Sequence, residues 1–87
     1  MKTQDFEKEI KKQVNLNKIG IYEVFVNVGE LREYWGLDGD KNSPIMQKVY
    51  VTVFDGDILS ISFERSRAIR NLLDEAGVDT LEELENL

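Results

Sequence analysis

The chain has 87 residues, 41% of them hydrophobic and 32% charged, with no cysteine, no histidine and a net charge of −6. That length supports one hydrophobic core and that composition is too apolar for general disorder, so a single domain over residues 1–87 is expected. Without thiol or imidazole there is no disulfide staple, no structural zinc site and none of the commonest catalytic bases and nucleophiles, and stability must come from packing or association.

The first predicted helix begins near Thr3, whose hydroxyl suits an N-cap. Phe6, Ile10 and Val14 form its apolar stripe, Leu16 closes it, and Glu7 and Glu9 are placed to pair with Lys11 and Lys12. The acids at Asp5 and Glu7 interrupt what a secretory signal would need, and no apolar stretch is long enough to span a bilayer. A cytoplasmic location without membrane attachment is the expectation.

Residues 19–28 change to a period of two, with Tyr22, Val24, Val26 and Val28 on one side and Ile21, Glu23, Phe25 and Asn27 on the other, which predicts a strand. Residues 30–35 are open between a short strand and one helical turn stopped by Gly36. Residues 36–45 form a loop that starts like a calcium loop at Asp38 and Asp40. Counted from Asp38, however, the sixth position is Ser43 in place of glycine and the twelfth is Val49 in place of glutamate, so no metal site is expected.

Residues 48–54 and 57–63 read as a hairpin, because Asp55-Gly56 supplies the positive φ angles of a type I′ turn. Continuous pairing would put Val49, Val51, Val53, Ile58, Ser60 and Ser62 on one face and Tyr50, Thr52, Phe54, Leu59, Ile61 and Phe63 on the other. Residues 64–76 form the next helix, with Ile69, Leu72, Leu73 and Ala76 at core spacing and Gly77 as a left-handed stop that folds Val78 back on Leu73. Thr80 with Glu83 then has capping-box spacing for a last short helix bearing Leu81, Leu84 and Leu87.

The expected fold is α+β, a three- or four-stranded antiparallel sheet with helices packed mainly on one face, the face of Tyr50, Phe54, Leu59, Ile61 and Phe63. That arrangement leaves Val49, Val51, Val53 and Ile58 uncovered. Either the segment around Tyr34, Trp35 and Leu37 crosses them, or a second copy does, which makes a homodimer an expected partner state.

Charge is distributed unevenly. Residues 1–18 carry five lysines against three acids, a balance of +2; residues 19–63 carry three bases against seven acids, and residues 64–87 three arginines against seven acids, −4 in each case. Such a field disfavours direct nucleic-acid binding, which depends on Lys and Arg displacing counterions. Asp74, Glu75, Asp79, Glu82, Glu83 and Glu85 form a C-terminal acidic patch with the types of charge that a basic protein partner recognises. Tyr34 and Trp35 beside the loop are residue types that anchor interfaces, with core packing as the structural alternative.

A second cluster, Ser62, Arg65, Ser66, Arg67 and Arg70, surrounds the start of a helix, where free N–H groups favour an anion such as a phosphorylated or carboxylated metabolite. Its structural alternative is a solvated helix surface with Arg70 paired to Asp74 at i, i+4. No catalytic set can be assembled from these residue types, and no enzyme activity or cofactor is expected. In size, acidity and helix-strand-helix order the chain is similar to small phage-encoded inhibitors of bacterial defence systems, although it shares no motif with them. That likeness of build implies a non-catalytic module that inhibits or regulates a basic, nucleic-acid-binding protein.

Overall fold

In the computed structural model, which describes residues 3–38 and 44–86 and side chains from residue 5 onward, the three runs rich in β-branched residues are strands. These are β1 (Gly20–Asn27), β2 (Met46–Phe54) and β3 (Asp57–Ser62), joined in an antiparallel sheet of order β1-β2-β3. Four helices accompany it among the described residues: α1 (Thr3–Lys11), α2 (Val28–Tyr34), α3 (Arg65–Ala76) and α4 (Leu81–Glu85). The α+β class and the order of elements agree with the expectation. The expected cap hydroxyl of Thr3, loop residues 39–43 and Leu87 lie outside the described residues.

The segment left open between strand and helix is α2. Asn27 accepts a hydrogen bond from the Glu30 N–H at 3.0 Å, and Gly36, at φ 80°, lets the Leu37 N–H reach the Arg32 carbonyl at 2.8 Å. Caps at both ends stabilise a seven-residue helix that propensity alone would not hold. The Asp55-Gly56 turn has both residues at positive φ, 54° and 82°, as its type requires.

Helices cover both faces of the sheet, which corrects the expectation of one helical layer. Phe6 and Ile10 of α1 and Leu31 of α2 pack with Val24, Val26, Val49 and Val51 in one apolar cluster, with Ile58 and Ile61 at its margin. The valine face is therefore closed by the chain itself: Val49, Val51 and Val53 are fully buried. A homodimer through that face has lost its basis. The reason is that α2, short as it is, adds to α1 the apolar width that α1 alone lacks.

The hairpin departs from continuous pairing by one residue. Thr52 pairs with Ser60 and Val53 with Ile58, so Leu59 is extra, a β-bulge. Beyond it every side chain of β3 changes face. Ile61 falls opposite Val51 and joins the apolar cluster, while Ser60 and Ser62 move under α3, contrary to their expected face. There the Thr52 and Ser60 hydroxyl oxygens lie 2.7 Å apart, and the Asn71 amide donates to Ser60 Oγ at 3.2 Å.

Helix α3 turns Ala68 and Leu72 fully inward, while Ile69, Leu73 and Ala76 of the expected stripe are half-buried. Its end is as expected, with Gly77 at φ 72° and the Val78 N–H on the Leu73 carbonyl at 3.1 Å. Of the expected surface pairs in α1, Lys12 meets Glu9 at 3.2 Å, but Lys11 reaches across to Asp57 at 3.5 Å in place of Glu7. The Ile58 N–H and then Lys11 hold the Asp57 carboxyl below its ordinary pKa, so this contact contributes stability above that value and loses it as pH falls.

Candidate functional site

The acidic surface is built by the end of α3 and by α4. Gly77 reverses the chain, Thr80 Oγ1 caps α4 by accepting from the Glu83 N–H at 3.2 Å, and buried Leu84 fastens α4 down. The Glu83 carboxylate accepts from the Asp79 N–H at 3.2 Å, so the expected capping box closes one residue early. Asp74, Glu75, Asp79, Glu82, Glu83 and Glu85 are all exposed, and none of the six forms an ion pair among the described residues. The structure thus brings the whole acidic set to one connected pair of elements.

The anion set is divided instead. Ser62 and Arg67 line a cleft together with Trp35, Ile61, Phe63 and Glu64, beside the free edge of β3. Ser66 and Arg70 line a different groove on the other flank of α3, with Leu73 and Val78. Arg65 borders neither. Arg65, Arg67 and Arg70 are exposed and make no ion pair among the described residues, so the expected Arg70–Asp74 pair is not formed. Glu64 precedes the helix without a side-chain cap, and no acid lies in the first turn.

Trp35 and Tyr34 part company. Trp35 is 38% exposed, and its ring meets that of Phe63, a residue 49% exposed, edge to face at 5.3 Å. Tyr34 is a packing residue: its ring lies 5.0 Å from Phe6, and its hydroxyl donates to Glu7 at 3.0 Å. Burial first, and then the hydrogen bond to Glu7, push the Tyr34 phenol up to about 12.

A raised phenol pKa stabilises the folded chain below the ordinary value and loses that contribution as pH climbs from about 10 to about 12. Tyr34→Phe is expected to cost about 1 kcal/mol at neutral pH through the lost hydrogen bond, and to remove this part of the alkaline destabilisation. Urea unfolding of both proteins at pH 7 and on approach to pH 11 checks it. An equal decline with pH in the two would refute the assignment.

Sequence patterning missed Asn71, because it lies between two apolar positions of α3 and only the bulge in β3 reveals its partner. It also placed Ile61 and Phe63 on the face covered by α3, whereas Ile61 packs against the α1 and α2 cluster and both residues line the cleft at the sheet edge. No described helix is long and apolar enough to cross a membrane. No protein-family model matches the chain, and neither curated proteins nor solved structures give a match.

Proposed function

We propose that this chain is a non-catalytic, cytoplasmic protein-binding module that docks the acidic surface of α3 and α4 onto a basic partner, as an inhibitor or regulator of a nucleic-acid-binding protein would. One observation carries the proposal: six exposed carboxylates on two adjoining helices and the turn between them have no cationic partner within the described chain. Unneutralised charges of one sign steer an oppositely charged partner and confer salt-dependent association. The alternative, a small anion held by Ser62, Arg65, Ser66, Arg67 and Arg70, is weaker because only Ser62 and Arg67 share a cleft.

Capture from cell lysate with the wild-type chain, beside a Glu82→Gln, Glu83→Gln, Glu85→Gln variant, tests the proposal. Leu81 and Leu84 are retained, so the circular dichroism spectrum is expected to stay the same. Recovery of a basic partner is expected to fall by about tenfold in the variant and with rising salt. Equal recovery of the same partners by both proteins would overturn the reading.

A further inference from the structure

We propose that two copies of this chain pair through the free edge of β3, giving one continuous six-stranded sheet with the two α3 helices antiparallel across a two-fold axis. The backbone supplies the first ground. The Val28 N–H bonds the Ile45 carbonyl at 3.1 Å, in register with the β1–β2 ladder, so alternate residues of β2 from Ile45 to Val53 bond to β1. Tyr50 and Thr52 consequently turn their backbone groups to Ser62 and Ser60, and the N–H and C=O of Ile61 point out from the sheet edge.

From Ile58 to Phe63 this edge has no charge and no proline, two of the devices that keep edges from pairing. The bulge at Leu59, a third such device, lies on the turn side of Ile61. A two-fold axis at Ile61 would bring Ile61 opposite itself, and Phe63, which is 49% exposed, opposite Leu59 of the second copy.

The second ground is charge on α3, and it is what identifies the occupant as another copy. Arg67, Asn71 and Glu75 follow one flank of the helix at steps of four residues, with Asp74 beside Glu75. The order along that flank is base, amide, acid, which is self-complementary when reversed about Asn71. Asn71 donates to Ser60, so the middle of the helix flank stands one residue along the strand from Ile61. One axis can therefore serve both layers, placing Arg67 of each copy against Asp74 and Glu75 of the other. None of these three charges is paired within the described chain. The groove beside the other free edge, β1, is rimmed by Glu9 and Glu30 with no base, and offers no such match.

The pairing would draw Asp74 and Glu75 out of the proposed docking surface and leave Asp79, Glu82, Glu83 and Glu85 outside the contact, so its failure would not touch that reading, and its success would make the remaining acidic surface bivalent. Sedimentation equilibrium of the full chain from about 1 to about 200 µM tests it by mass action, in about 0.15 M salt, where repulsion between net charges is screened beyond about 8 Å. A dimer is expected for the wild-type chain. Arg67→Glu, and separately the pair Asp74→Arg with Glu75→Arg, are each expected to weaken it at least about tenfold; all three together should restore it. These positions are exposed on a helix, so folding is not at stake. A monomer mass at every concentration, or a dimer indifferent to the charge reversals, would overturn the proposal.

Discussion

Val51→Lys is expected to leave the chain largely unfolded at room temperature. Val51 lies in the middle of the central strand, opposite Tyr22 and Ile61, and is fully buried beneath α1 and α2. An ammonium there would have no carboxylate among its cluster neighbours Phe6, Ile10, Val24, Val26, Leu31 and Val49. An unpaired buried charge costs about 4 kcal/mol or more, against a total stability of about 5 to 15 kcal/mol for a natural domain and near the low end for one this small. Far-ultraviolet circular dichroism with a thermal scan checks the outcome. A cooperative melt close to that of the wild type would mean that the valine face is open, and that the helical layer of α1 and α2 is misplaced.

Leu72→Ala is expected to destabilise the chain by about 2 to 5 kcal/mol, the range for truncating a core leucine and leaving part of the cavity behind. Leu72 is fully buried on the opposite side of the sheet from Val51, in the layer formed by α3. The same truncation at Leu73, which is half-buried and faces the groove shared with Val78, removes less contact and should cost less. Urea unfolding of both variants measures the difference through the midpoint, with the slope unchanged if the folded state is the same. Equal costs would refute the orientation assigned to α3.

These two substitutions also mark where sequence patterning succeeds and where it stops. Phe6 and Ile10 on α1, Val24 and Val26 on β1 and the Asp55-Gly56 turn were legible because each is fixed by a local period or by one backbone conformation. Gly77 and Val78 were legible for the same reason. Which helix covers which face is not local: it depends on α2, whose ends are set by the Asn27 side chain on the Glu30 N–H and by the backbone turn at Gly36, neither of which leaves a hydrophobic period. The acidic residues of α3 and α4 could be gathered from sequence, since Gly77 and Thr80 set their geometry nearby. The arginines could not be divided between the flanks of α3 until the helix was docked, because rotation about its axis is a tertiary choice.

The added residue in β3 has a further consequence. Since side chains alternate along a strand, whether the extra residue is held out as a bulge or drawn into the ladder decides whether hydroxyls or isoleucine lie beneath α3. The hairpin stores that decision in the bulge and not in its composition. Removing Leu59 alone would leave Ile58 opposite Val53 and Ser60 opposite Thr52 in one continuous ladder, whereas drawing Leu59 into the ladder would exchange the contents of the two interior layers from Ser60 to Ser62. A single-codon deletion there thus removes the bulge and keeps the phase.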